Sequence, residues 1–186
     1  MGTLLMDPVL IDPVSVIAVG LLLSFVLLDA GRHKLQAPWR FAAVIENYRL
    51  LPPGSGRVAV WVVGSAEMLM GIGLLLPSSR TAALLLSAAT LALYGMAIGI
   101  NLARGRRSMD CGCGGADEKQ GLSVGLLVRN GALASLAVAA AVCETLPRAV
   151  VWQDGLVAMS AATAGVILYL SANVLMVNRQ LLVNLK

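Results

Sequence analysis

The sequence predicts an all-α integral membrane protein, with a four-helix bundle over residues 1–145 and a fifth transmembrane helix with a short tail over 146–186. Of the 186 residues, 58% are hydrophobic and only 13% are charged, which is more apolar surface than one soluble core of this size can bury. The apolar residues form runs near or above the roughly 18 residues that cross a bilayer. We find no alternating segments of the kind that build a membrane barrel. Helices are expected because lipid offers no partner to unpaired backbone groups.

Five transmembrane helices are predicted, together with one helix in the membrane interface. The interfacial segment, about 36–51, places Phe41, Val44, Ile45 and Tyr48 at helical spacing opposite charged residues, which is typical of a helix that lies on a membrane surface. The predicted spans cover about 13–30, 58–76, 81–102, 122–142 and 155–177.

The basic residues predict how these helices are oriented. Eleven of the fourteen lie on the side reached at the end of the first span, while only Arg80 and Arg148 lie on the other side and Arg129 falls inside a span. Because cytoplasmic loops carry the excess of Lys and Arg, the first of these sides is predicted to be cytoplasmic and the N-terminus to be outside. Because the positive charges lie at the ends of the spans, the expected partner is the lipid bilayer and not a nucleic acid.

The loop that contains Cys111 and Cys113 is the most distinctive chemical feature. Two cysteines one residue apart can close only a small, strained ring, and strain makes a disulfide labile and suited to exchange. The basic residues in 104–107 favour the thiolate, which is the reactive form. We therefore predict a redox pair. Two alternatives stay open: a soft-metal site formed by both cysteines and His33, and two loop thiols without a role. Cys143, at the opposite membrane face, is expected to pack as a small hydrophobic residue.

Three ionisable residues interrupt the predicted spans. Glu67 lies near the middle of the second span, Arg129 lies in the fourth, and Asp29 ends the first. All three are expected in the half of the membrane that carries the cysteine loop. A charge in the bilayer is costly unless it is paired, so Arg129 is predicted to pair with Glu67, Asp29 or both. Such a polar cluster would either fix helix packing or form a proton relay beneath the thiols.

A series of short motifs follows a fixed order along the chain. The motifs are Ala30-Gly31, Lys34-Leu35, Phe41, Asn47-Tyr48, Leu50-Leu51-Pro52, Glu67-Met-Leu-Met-Gly71, Leu74-Leu75, Asn101-Leu-Ala-Arg-Gly105, Asp110-Cys-Gly-Cys-Gly-Gly115 and Arg129-Asn130. In this order they resemble the MauE family of methylamine-utilisation proteins, within the wider DoxX-like group of small four-helix membrane proteins. The resemblance covers about 14–143, which is most of the chain.

The resemblance implies a redox-associated role in the plasma membrane of a bacterium. MauE-like proteins act with a thioredoxin-like partner in maturing the disulfide-rich small subunit of methylamine dehydrogenase, although many relatives occur outside methylamine pathways. By position, Cys111 and Cys113 match the family's Cys-Gly-Cys block, Glu67 its second-span acid, and Lys34 and Arg129 its basic positions. The fifth span lies outside the four-helix pattern and is expected to serve a partner specific to this protein.

Two hypotheses of function follow. In the first, the protein is a membrane thiol–disulfide oxidoreductase in which Cys111 and Cys113 exchange electrons with a thioredoxin-like partner. A quinone would then be the natural acceptor if the protein works as an oxidant, although the sequence carries no quinone signature. In the second, it is a non-enzymatic membrane subunit or chaperone that docks a partner or handles a soft metal. A periplasmic substrate favours thiols outside, whereas the basic residues place them inside.

Overall fold

The structure, a computed structural model, describes residues 10–106, 109, 111 and 121–184. Five helices within this part of the chain are long and apolar enough to cross a membrane, which confirms the predicted all-α membrane bundle. Each overlaps one predicted span, but the first continues six residues past its predicted end at 30 and the last continues seven residues past its predicted end at 177. In chain order the elements are β1 (Leu10–Ile11), α1 (Pro13–Gln36), α2 (Pro38–Tyr48), α3 (Gly56–Leu75), α4 (Arg80–Ala103), α5 (Val124–Val142), β2 (Glu144–Thr145) and α6 (Trp152–Asn184).

Helix α1 lies at the centre of the bundle. It packs against α3, α5 and α6, while α4 packs against α5 and α3. Leu23 and Leu27 of α1 meet Leu74 of α3 and Leu84 of α4 in an apolar core. Most of the other large apolar side chains on these helices point outward, as expected for helices that lipid surrounds.

Helix α6 is attached to the bundle along a narrow stripe. Ala158 and Ala162 are buried, and Gly165 packs against Leu22 of α1. Small residues at these positions let the two helices approach closely. The rest of α6 is largely exposed, so this helix contributes less to the core than the four membrane-spanning helices that precede it.

Helix α2 covers part of one end of the bundle, where the interfacial helix was predicted. It begins at Pro38, whose fixed backbone angle suits a first helical turn, and it ends at Tyr48, three residues before the predicted end. Arg49 there adopts a left-handed backbone with φ 51°. The apolar face of α2 packs against the protein rather than lipid, because Phe41 and Tyr48 are buried and the helix packs on α3.

The opposite end of the bundle is closed by a two-strand pair and an ion-pair network. Strand β1 pairs in parallel with β2, and the guanidinium of Arg148 donates to both oxygens of Asp12 at 2.7 and 3.0 Å and to both oxygens of Asp154 at 2.7 and 3.0 Å. These bonds raise the pKa of Arg148 above its usual range. The hydrogen bonds from Arg148 and from the backbone N–H of Val14 lower the pKa of Asp12. The network ties the start of α1 to the start of α6.

This network is expected to lose strength in acid. Because the pKa of Asp12 is lower in the folded protein than its ordinary 3.8, its contribution is fully present above that value and is lost as the pH falls through the lower, folded pKa. Thermal unfolding of the detergent-solubilised protein should therefore shift to lower temperature below about pH 4. Arg148→Gln should unfold earlier at pH 6 and show a smaller further shift in acid. An equal acid shift in both proteins would contradict this assignment.

Candidate functional site

A buried ion pair joins α1 to α3 in the half of the bundle nearest α2. Nζ of Lys34 donates to Oε1 and Oε2 of Glu67 at 2.8 and 2.9 Å. The side chain of Glu67 is fully buried and that of Lys34 is 10% exposed. A carboxylate at this depth is stable only with a cation and further hydrogen bonds around it, so the two side chains depend on each other.

Aromatic side chains complete this polar centre. The hydroxyl of Tyr94, on α4, donates to Oε1 of Glu67 at 2.5 Å. The ammonium of Lys34 lies 5.5 Å from the centre of the Tyr94 ring and 5.9 Å from that of Phe41. Ring faces attract a cation at these distances. Lys34, Glu67, Tyr94 and Phe41 therefore form one cluster, called the ion-pair cluster below, which draws on four helices.

Close contact between α1 and α3 brings the ion pair together. A Cβ atom built on Gly31 would lie 2.9 Å from the carbonyl oxygen of Gly64, and one built on Gly64 would lie 2.9 Å from the side chain of Leu35. Real Cβ atoms do not adopt such distances. At Gly31 the obstacle is backbone, so glycine is required there, whereas a Cβ at position 64 would need only the end of the Leu35 side chain to shift. Gly31 stands one turn before Lys34, and Gly64 stands one turn before Glu67, so the site of closest approach adjoins the ion pair.

Cys111 lies at the same end of the bundle and is buried. Its residue is 6% exposed and it packs in a cluster with Ile98, Leu122 and Leu126. The hydroxyl of Tyr48 donates to the backbone carbonyl oxygen of Cys111 at 3.1 Å, which fixes this residue against α2. Cys113 lies outside the described residues. The structure therefore locates the first cysteine of the predicted pair and leaves the pair itself as a prediction.

A cavity of about 350 Å³ connects Cys111 with the ion-pair cluster. Lys34, Phe41 and Tyr94 form one part of its wall, and Tyr48 and Cys111 form another. Its remaining lining is apolar and comes from α2, α3, α4 and the segment that follows α2: Val44, Ile45, Leu50, Leu51, Ala59, Val63, Leu93, Ala97 and Ile98. The size is that of a site for a small organic molecule.

The predicted pairing of Arg129 is wrong. Its Nη1 donates to Oδ1 of Asn173 on α6 at 2.6 Å and its Nη2 to Oδ1 of Asn130 at 3.3 Å, while its guanidinium lies 5.3 Å from the centre of the Tyr169 ring. The cation that pairs with Glu67 is Lys34. The error arose because depth along the helices was inferred from the sequence, whereas Arg129 is directed toward α6.

Asp29 is also separate from the ion-pair cluster. Its carboxylate is 41% exposed and pairs with two residues of its own helix, Arg32 at 3.7 Å and His33 at 3.5 Å.

The proposed metal site is only partly covered by the structure, since one of its three residues, Cys113, is outside the described part. Among the described residues, no group of three His, Cys, Asp or Glu side chains is placed to hold a metal ion. His33 is engaged with Asp29.

Cys143 caps the C-terminal end of α5, which is the end that faces the two-strand pair. Helix α5 has 19 residues, and at 1.5 Å per residue it separates Cys143 from the start of α5 by about 28 Å. Cys143 therefore lies at the membrane face opposite Cys111, as predicted.

Sequence reasoning missed two residues of this site. Tyr94 was not considered, although a phenol in an otherwise apolar span needs a hydrogen-bond partner. Tyr48 was noted on an apolar helix face and in the Asn47-Tyr48 motif, but it was given no role at the site. Lys34 was noted as a basic position but was placed beyond the end of the first span, because the predicted span ended at residue 30 and α1 continues to Gln36.

The fold and this site define a multi-pass helical membrane protein with a buried ion pair beside a cavity in one half of the bundle. A family model described as "Methylamine utilisation protein MauE" matches residues 12–143, and the chain belongs to the MauE family. The ion pair, Tyr94 and Cys111 all lie within the matched segment.

Named relatives extend the match beyond that segment. The chain is 33% identical over 168 residues to the methylamine utilization protein MauE of Paracoccus denitrificans, covering 89% of each chain. It is 34% identical over 170 residues to that of Paracoccus versutus, covering 91% of each chain, and 36% identical over 125 residues to that of Methylorubrum extorquens, covering 67% of each. No solved structure matches the chain. Because 168 residues exceed the 151 that precede α6, the matches to the Paracoccus proteins extend into the sequence of that helix.

Proposed function

We propose that this protein is a membrane thiol–disulfide redox protein of methylamine utilisation, in which Cys111 and Cys113 cycle between dithiol and disulfide. The observation that carries the proposal is the position of Cys111, on the wall of a cavity that Lys34 and Tyr94 also line. The pathway is inferred from the relatives, which are named as methylamine utilization proteins. Maturation of a disulfide-containing enzyme of that pathway would be the role.

The exchange step needs only the two cysteines and a partner. A thiolate of the pair attacks one sulfur of a disulfide in a thioredoxin-like protein, and a mixed disulfide forms while a partner thiolate leaves. The second cysteine then attacks the mixed disulfide, closes the Cys111–Cys113 bond and releases the reduced partner. Two electrons and two protons pass from the pair to the partner, and the reverse sequence oxidises the partner.

Trapping the mixed disulfide is the direct test. Replacing the cysteine that resolves the intermediate leaves the other one attached to its partner, so either Cys111→Ser or Cys113→Ser is expected to accumulate a partner adduct that disappears on reduction. The adduct would be identified by mass spectrometry after alkylation of intact cells. Cys143→Ser is the matched control and should form the adduct no more than wild type does. If cells that carry the double Cys111→Ser/Cys113→Ser variant still mature the disulfide-containing enzyme of the pathway, the proposal is wrong.

The side of the membrane that carries the pair belongs to the same proposal. The excess of basic residues on one side supports a pair in the cytoplasm, with the N-terminus outside, in a bacterial plasma membrane. A membrane-impermeant alkylating reagent applied to intact cells should then label neither Cys111 nor Cys113 until the cells are permeabilised. Labelling of intact cells after reduction alone would place the pair outside and reverse this orientation.

One observation favours a second candidate, a non-enzymatic subunit that docks a partner protein. Cys111 is only 6% exposed, and a buried sulfur is poorly accessible to a protein disulfide. Under this candidate the double cysteine variant would still bind its partner and support maturation, whereas under the redox proposal maturation would stop.

A further inference from the structure

We propose that the cavity between Cys111 and the ion-pair cluster binds the ring of a membrane quinone, which accepts the electron pair of the cysteines. This inference rests on the proposed redox function and adds its electron acceptor. Three properties of the cavity support it: the chemistry of its wall, the place where it opens, and the position of its one ammonium group.

The wall of the cavity suits a flat, uncharged molecule. Aromatic rings of Phe41, Tyr48 and Tyr94 stand among aliphatic side chains of α2, α3 and α4. The positive charge of Lys34 is balanced by the carboxylate of Glu67 at 2.8 Å, so the wall carries no net charge that would attract an ionic solute. A volume of about 350 Å³ fits a substituted ring with the first part of a hydrocarbon tail.

The cavity opens where lipid can supply its occupant. Leu50, Leu51 and Leu93 line it and are themselves 40%, 50% and 59% exposed, so they stand at its mouth. Leu93 lies ten residues before the end of α4 at Ala103, which places it about 15 Å inside that helix end. This is within the hydrocarbon part of a bilayer, so a molecule dissolved in lipid reaches the mouth directly.

Lys34 supplies the polar contact that a quinone requires. Two of its three N–H groups are directed to the carboxylate of Glu67, and within the described part of the chain the third has no hydrogen-bond acceptor. A carbonyl oxygen of a quinone accepts such a bond. The ring faces of Phe41 and Tyr94 hold the ammonium in place at 5.9 and 5.5 Å, which makes it a fixed donor.

The reaction is balanced without any further reagent. The two S–H bonds of Cys111 and Cys113 break and one S–S bond forms, which releases two electrons and two protons. The quinone takes up the two electrons and the two protons, and its two carbonyl groups become the two hydroxyl groups of a hydroquinone. The disulfide is then available to oxidise a thioredoxin-like partner, so electrons flow from that partner through the cysteines to the membrane.

The test uses the full-length protein reduced and reconstituted in lipid nanodiscs under anaerobic conditions. Decylubiquinone is added, its reduction is followed by ultraviolet absorbance, and loss of free thiols is followed by alkylation. Wild type is expected to form one hydroquinone for each pair of thiols lost. Binding is measured separately as the decylubiquinone that protein-containing nanodiscs retain in excess of empty nanodiscs of the same lipid, and Cys111→Ser should retain the same excess but reduce none.

A cavity variant separates binding from thiol chemistry. Ala97→Phe fills the cavity from α4 and should weaken binding by about tenfold or more, equivalent to about 1.4 kcal/mol. Ala92→Phe, on the exposed face of the same helix, is the matched control and should bind as wild type does. Ala92→Phe should also exchange disulfides with a thioredoxin as wild type does.

The outcomes distinguish this inference from the proposed function. If decylubiquinone does not bind, or binds equally to Ala97→Phe and Ala92→Phe, while exchange with thioredoxin persists, the quinone site is wrong and the redox function stands. If the thiols are inert toward both decylubiquinone and thioredoxin, the redox function fails, and with it the role of the quinone as electron acceptor.

Discussion

Lys34→Met is expected to lower the free energy of unfolding by about 3–5 kcal/mol, because it leaves a buried carboxylate without its cation. Glu67 is fully buried and its remaining donor is the hydroxyl of Tyr94. Methionine keeps the length of the lysine side chain, so little packing is lost. The measurement is the midpoint of unfolding in a titration of mixed micelles with sodium dodecyl sulfate.

The double variant Lys34→Met/Glu67→Gln tells whether the cost comes from the charge. Replacing both partners removes the unpaired carboxylate, and such replacements are often neutral, while the amide of a glutamine still accepts from Tyr94. The double variant should therefore recover most of the stability that Lys34→Met loses. A double variant as unstable as the single one would show that the loss has another origin.

Arg32→Met is the matched control for the single variant. Arg32 stands on the same helix, its side chain is 60% exposed and its ion pair with Asp29 is 3.7 Å long. Exposed pairs of this kind contribute about 0–1 kcal/mol. If Lys34→Met unfolds no earlier than Arg32→Met, the buried pair does not hold α1 to α3.

The spans were predictable because each depends only on a long apolar run. Lipid imposes the same requirement on every transmembrane helix, so the run from Val58 to Leu76 predicts α3 without knowledge of its neighbours. Ends were less certain: α1 continues past residue 30 through a polar cluster to Gln36. The sequence suggested a boundary at that cluster, yet Lys34 is buried because α3 and α2 cover it.

The site was only partly predictable because helix rotation is not encoded in hydrophobicity alone. Glu67 was correctly singled out as a charge within a span, since any such charge needs a partner. Choosing that partner required the direction in which each helix faces. Gly31 and Gly64 lie at the close contact between α1 and α3, and this contact brings Glu67 next to Lys34. Arg129 instead faces Asn173 on α6.

Gly31→Ala is expected to destabilise the bundle by about 1–3 kcal/mol, since its extra methyl group has no room at the contact between α1 and α3. The new Cβ would lie 2.9 Å from the carbonyl oxygen of Gly64 and 3.2 Å from Cβ of Glu67. The carbonyl belongs to the backbone of α3 and cannot rotate away as a side chain would. The two helices must therefore move apart, and Lys34 and Glu67 with them.

Gly131→Ala is the matched control on α5, where a Cβ would meet nothing within 4 Å. Alanine is the better helix former by roughly 1 kcal/mol, so this variant should be as stable as wild type or slightly more so. The unfolding midpoint of both variants is measured as for Lys34→Met. Equal midpoints would show that the contact between α1 and α3 is not as close as described.

Combining Gly31→Ala with Lys34→Met tests whether the close contact and the ion pair act together. If separating the helices already weakens the ion pair, the two losses overlap, and the double variant should be more stable than the sum of the single effects predicts. Strict additivity would mean that the helices separate without disturbing Lys34 and Glu67. The glycine contact would then serve packing alone, and the polar wall of the cavity would not depend on it.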